Sequence, residues 1–466
     1  MTNAARDSLQ PGAPTTATHA TPAGHSASVP PMAFGWQGGW RYGLMGFPLA
    51  FVALPLYVVL PNYYALQFGV PLAALGALLL GARLFDAVID PFLGRWSDRL
   101  YAHAPATVLA WAAVAATALA MGLLLLFFPP QLSMNGLLAW ALACLVLTYA
   151  AYSALSILHQ SWGAMLGGDE AQRSRVVAWR EGLGLLGVVL ASVAPFLLGM
   201  PAAIALLWLA LALALWAWHH APKPPLQPTR DSTETDAPSQ ASSRSTLNAQ
   251  PAAGHAIWLP FSRPAFRALL GVFMVNGIAS AIPATLILFF VQDRLQATPG
   301  LQPLFLGCYF LSAAVAIPFW LKLVRALGLA RTWGLGMLLA IAVFAFAAQL
   351  GRGDGLAFLA VCALSGVALA TDLAFPAALL AGVISANGDR GSAEGAYFGW
   401  WNFATKLNLA LAAGLALPIL SLMGYTPGAQ DAAALRTLTF AYCLLPCALK
   451  LLAAALLYLF IIRRPS

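Results

Sequence analysis

Asp86 and Asp90 stand four residues apart in an otherwise apolar run. On a helix that spacing stacks two carboxylates on one face, about one turn from each other. In a bilayer such a pair does not comfortably stay doubly ionised without a bound cation, a proton or a basic partner. The chemistry within reach is reversible cation binding. A competing reading is a salt-bridge latch with Arg83 on the same helix and Arg95 or Arg99 at its end. Each ionisable group at helix centre costs roughly 2.5 to 3.5 kcal/mol on insertion scales, so each one needs a reason.

Lys406 is a lone cation in a later apolar run, deep enough that snorkelling is strained and positioned to approach the carboxylate pair. Asp372, four residues before Pro376, reads equally as a substrate or proton contact and as a polar packing contact. Lys450 reads as structural or snorkelling. His159 is able to relay a proton, although a lone histidine among Ser and Gln is more often simply hydrogen-bonded. Asn402 joins the candidate substrate contacts. The five cysteines (Cys144, Cys308, Cys362, Cys443 and Cys447) all fall in apolar runs, without metal or disulfide spacing, and are expected to be free thiols. His219-His220 lacks acidic neighbours, so no clustered metal or nucleophile set supports a membrane-embedded enzyme.

The elements that must position these residues are transmembrane helices. Of 466 residues, 61% are hydrophobic and 9% charged, against roughly 25% charged in soluble domains. Spans need about 20 apolar residues, and twelve such runs follow one another from Tyr42 to Ile462, starting with 42–62, 71–94 and 105–128. The expected organisation is a cytoplasmic tail at 1–40, six helices at 41–218, a linker at 219–262 and six more helices at 263–466. The net charge of +8 sits in short loops, so membrane topology explains it better than nucleic acid. Arg95, Arg99, Arg173, Arg175, Lys223, Arg325, Arg331, Arg390, Arg463 and Arg464 all lie on one set of connections. By the positive-inside rule both termini and the linker are cytoplasmic, in a bacterial-type inner membrane. Two six-helix halves around a midplane site are expected to alternate access by rocking.

The stretch Gly81-Ala82-Arg83-Leu84-Phe85-Asp86-Ala87-Val88-Ile89-Asp90-Pro91-Phe92-Leu93-Gly94 resembles the second-helix signature of the glycoside-pentoside-hexuronide:cation symporter family, to which melibiose permease belongs. Further likeness lies in Tyr63-Tyr64, in Tyr152 to Arg180, and in Gly395-Ala396-Tyr397 through Lys406 to Gly424-Tyr425. The resemblance implies the major facilitator superfamily fold: an all-α membrane protein of about twelve helices. It assigns Asp86 and Asp90 as cation ligands, with Ser153 supplying a hydroxyl. It makes Lys406 the family's helix-eleven lysine and turns Arg180 toward the sugar cavity.

The sequence departs from the family pattern at several positions. Ile89 replaces a polar group between the aspartates, which makes a proton an easier passenger than sodium. Ala50 and Ser156 stand where carboxylates bind galactoside hydroxyls, and Leu158 stands at the usual proline. Gly382 and Ser385 replace acids on helix ten. The resulting expectation is a symporter coupling H+ or Na+ to a small polar, sugar-like solute. Its partners would be solute, cation and bilayer, without cofactor or nucleic acid, and it would act as a monomer. Lysolipid carriage, proton-coupled export and a non-transporting scaffold are the rival readings on the same fold.

Overall fold

A computed structural model describes residues 34–224, 257–298, 301–425, 428 and 430–463 of the chain. A short helix, Trp36–Gly43, begins inside the segment expected to be a tail; residues 1–33 and most of the expected linker lie outside the described residues. Twelve long helical elements follow. The first, α1, joins Gly46–Leu54, a wide turn at Pro55–Val59 and Leu60–Phe68. Prolines cannot donate to the helical ladder, and Pro55 and Pro61 sit where α1 departs from regular geometry. Next come α2 (Leu72–Tyr101), α3 (Pro105–Phe127), α4 (Met134–Met165), α5 (Glu170–Leu198) and α6 (Met200–His219). The second half holds α7 (Pro264–Arg294), α8 (Gln302–Leu327), α9 (Leu329–Ala347), α10 (Gly355–Ala386), α11 (Glu394–Leu422) and α12 (Ala432–Ile462).

By length and composition, eight of the described helices are apolar enough to cross a membrane. The charge-bearing α2 and α5 are not among them. The apolar run read at 71–94 continues as helix to Tyr101, because Arg95, Asp98 and Arg99 extend it beyond the apolar zone without breaking the backbone ladder. Local chemistry sets several starts. Asp169 Oδ1 accepts from Gln172 N at 2.7 Å before α5, and Asp431 Oδ2 accepts from Ala434 N at 2.9 Å before α12.

Within the first half α1 packs on α5, and α2 and α3 pack on α4. In the second half α10 packs on α8 and α9, and α7 packs on α11 and α12. Between the halves α2 lies against α11, and α5 against α8 and α10. The α2–α11 contact is backbone to backbone. A Cβ on Gly399 would stand 2.6 Å from Asp90 O and 2.9 Å from Pro91 Cα, and one on Gly94 would collide with Gly395 O. This close approach brings the α11 side chains across to the carboxylates of α2.

Candidate functional site

At mid-helix, Lys406 of α11 reaches into the first half. Its Nζ lies 2.7 Å from Asp86 Oδ1 and 2.7 Å from Asp90 Oδ2. It donates to Asp90 Oδ1 at 2.9 Å, to Ser153 Oγ at 2.8 Å and to the Asp86 carbonyl at 3.1 Å. Ser153 Oγ also donates to Asp86 Oδ1 at 2.8 Å, fixing that carboxylate against α4. The Asp90 side chain is fully buried, that of Asp86 is 4% exposed and that of Lys406 is 20% exposed. Five oxygens from two helices therefore surround one ammonium. Two carboxylates against one ammonium leave one formal negative charge in excess, in a setting where charge is costly.

The partner of the pair is Lys406, from the other half, and not Arg95, which faces Asp98 at 3.8 Å. Arg83, one turn away, is exposed and lies close to Tyr149 on α4.

A polar seam continues from this cage between α4 and α11. Gln160 Nε2 donates to Ser156 Oγ at 2.7 Å and to Asn402 Oδ1 at 3.3 Å across the halves. Ser153, Ser156 and Gln160 recur at intervals of three and four, so they share one face of α4. Arg180 on α5 pairs with the adjacent Glu181 and lines a narrow cleft with Tyr42, Gln160, Arg173, Val177 and Phe398. Gly382 of α10 faces the Arg173 guanidinium; a Cβ there would stand 3.1 Å from Nη2.

Two candidates lie elsewhere. His159 is buried, with Nε2 bonded to Tyr42 O at 2.8 Å and its ring stacked on Tyr42, and belongs to the packing of the short Trp36–Gly43 helix, α4 and α6. Asp372 is held by four donors: Asn276 Nδ2 at 3.0 Å, Ser280 Oγ at 3.1 Å, Trp333 Nε1 at 2.9 Å and Lys450 Nζ at 2.8 Å. Lys450 does not snorkel. It is buried and also donates to Asn276 Oδ1 at 2.9 Å, so this cluster ties α7, α9, α10 and α12 together inside the second half.

Sequence reasoning did not single out a group of contacts at one end of the bundle. Asp98 of α2 accepts from Gly395 N at 2.6 Å and Ala396 N at 3.0 Å at the start of α11. Glu170 Oε2 accepts from Leu329 N at 2.7 Å at the start of α9. Arg390 donates to Met165 O at 2.7 Å. In the first two, an acid from one half satisfies free amides at a helix start of the other. A sequence signal existed for both, an acid within one turn of a helix boundary, but partner choice was invisible. Among the described residues no group of three or more His, Cys, Asp and Glu is arranged to hold a metal.

A model of the family described as MFS/sugar transport protein matches residues 41–464. The inner membrane symporter YicJ of Escherichia coli K12 is 28% identical over 155 residues, 33% of each chain. The putative glycoside/cation symporter YagG of the same organism is 26% identical over 148 residues, 31% of this chain and 32% of that one. These matches take in about a third of the length of either relative. Among solved structures, a bacterial homologue of the iron transporter ferroportin in an outward-facing state superposes with a TM-score of 0.63 at 16% identity, covering 92% of this chain and all of that one. The fucose:proton symporter of E. coli gives 0.59 at 15% identity over 92% and 98% of the two chains. At such identities the likeness to the solved structures is one of fold.

Proposed function

The chain belongs to the MFS/sugar transport protein family, and from that premise we propose that it is a cation-coupled symporter of a small polar, sugar- or glycoside-like solute. The observation that carries this reading is the Lys406 ammonium shared by Asp86, Asp90 and Ser153. An internal cation there stands in for a transported one. A proton or sodium ion entering the cage competes for the same oxygens and releases Lys406 from α2. Ile89 adds no oxygen to the cage, so a proton is the better-fitting passenger. The released lysine and the Ser156–Gln160–Asn402 seam then face the solute, with Arg180 lining the same cleft as Gln160. Whatever cation helps solute bind is itself bound more tightly when solute is present. The family and fold relatives are transporters, not enzymes. The positive-inside pattern places the Asp98–α11 end in the cytoplasm, so the arrangement described is closed toward the cytoplasm.

The test is thermal unfolding of detergent-purified wild type beside Asp86→Asn/Asp90→Asn, with sodium titrated at several pH values. One bound cation at a hundred times its Kd stabilises by about 2.7 kcal/mol. Wild type is expected to respond to sodium, or to pH more steeply than the double variant, which loses the part of the response that Asp86 and Asp90 contribute. Equal responses from both proteins would remove the cage as the coupling site.

A further inference from the structure

At the closed end the halves meet around two carboxylates that the coupling cage does not use. Glu394 opens α11 and is fully buried; Asp98, near the end of α2, is 5% exposed. An acid at a helix start ordinarily turns to the free amides of that helix. Here those amides, Gly395 N and Ala396 N, are taken by Asp98 from the other half. Glu394 accepts from Gly391 N at Oε1 (2.7 Å), with its own amide and that of Ala393 close to the carboxyl, and its buried Oε2 has no hydrogen-bond partner among the described residues.

The charged and titratable groups nearby have other attachments. Arg95 faces Asp98, Arg263 pairs with Asp389 at 2.7 Å, and Tyr397 donates to Asp389 at 2.6 Å. Tyr101 donates to Leu158 O at 2.6 Å. Arg390, which favours the charged form of Glu394 from a distance, donates to Met165 O.

We propose that Glu394 holds a proton whenever this end of the protein is closed and releases it when the end opens, forming a second proton site separate from Asp86 and Asp90. An ionised carboxylate with a bare oxygen, buried beside another carboxylate, is disfavoured against the neutral acid. Burial disfavours charge on Asp98 too, but an amide donates to each of its oxygens, so of the two carboxyls Glu394, with its bare Oε2, is the one assigned the proton. When the halves part, Asp98 leaves with α2, and Gly395 N, Ala396 N and water become available to an ionised Glu394. The closed state thus binds one proton more than the open state. By linkage, closure strengthens as pH falls and weakens as pH rises, by up to about tenfold in the closed-to-open ratio per pH unit.

The experiment measures the distance between spin labels at His103→Cys and Ala386→Cys, exposed positions on opposite halves at this end, with the native cysteines replaced by alanine. In wild type the short-distance population is expected to grow on acidification. Glu394→Gln, a fixed neutral mimic, is expected to hold it at all pH values, and Glu394→Ala to lose the pH response as well. Asp86→Asn/Asp90→Asn is expected to keep the response, which separates this site from the coupling cage. No pH response in wild type, an unchanged response in Glu394→Gln, or its loss in the double aspartate variant would each overturn the proposal.

Discussion

An ammonium has three N–H donors, and Lys406 shares them among five oxygens. Five acceptors for three donors are what the proposed exchange of one cation for another requires. Removing the lysine leaves two buried carboxylates facing each other, and breaking a buried pair costs about 3–5 kcal/mol. Lys406→Gln is therefore expected to lower the thermal unfolding temperature at neutral pH. The deficit should shrink on acidification, because protonating one carboxyl removes the repulsion, so that stability falls again as pH rises. A deficit independent of pH, read by unfolding at acid and neutral pH, would show that Lys406 contributes packing and not charge compensation. The charged participants of this cage were legible in the sequence because each is a charge set in an apolar run, whereas Ser153 carries none and was singled out only through the family resemblance. Lys450 and Asp372 were visible for the same reason, but not as partners: 78 residues separate them and they lie on two different helices. Asp98 and Glu394 escaped notice because acids at helix ends are normally solvated, and only the packing of α2 against α11 buries them.

At the scale of elements, the Gly94–Gly395–Gly399 contact sets how far α11 projects toward α2. Gly399→Ala places a Cβ against Asp90 O, a backbone atom with little freedom to move. Overpacking of this kind costs typically about 1–3 kcal/mol, a 5- to 150-fold shift between states. The variant is expected to favour the state open at this end, seen as a longer distance between the labels at positions 103 and 386. An unchanged distribution would mean that α2 and α11 tilt together without separating. Helix identity was readable from apolar length, yet helix ends were not. The helix α2 runs seven residues past its apolar stretch, since charged residues leave the bilayer core without ending the hydrogen-bond ladder. The wide turns at Pro55–Val59, Phe290–Arg294 and Phe440–Leu444 have no hydropathy signature at all.

At the scale of the whole molecule, the bonds found among the described residues to join the halves run from the level of Lys406 to one end: Gln160 to Asn402, then Arg390 to Met165, Asp98 to α11 and Glu170 to α9. Such one-sided fastening suits two rigid halves that pivot, with the Asp372–Lys450 cluster keeping the second half rigid. It also makes the orientation testable together with the latch. Ala381 is 5% exposed and lines the narrow cleft beside Arg173, behind these bonds. Asp98→Ala removes the acceptor of two amides at a buried helix start, a loss of about 1–3 kcal/mol for each group left unsatisfied. In an Ala381→Cys background that change is expected to raise thiol labelling by a membrane-impermeant reagent severalfold in inverted vesicles. Labelling in right-side-out vesicles should stay unchanged, because the cleft opens only on the arginine-rich face. The parent lacking Ala381→Cys provides the background from Cys308, which is half-buried where the other four native thiols are buried. An increase confined to right-side-out vesicles would invert the topology drawn from loop charge. An increase in neither would place the barrier deeper, at Lys406 itself, and make the cage rather than the end latch the gate.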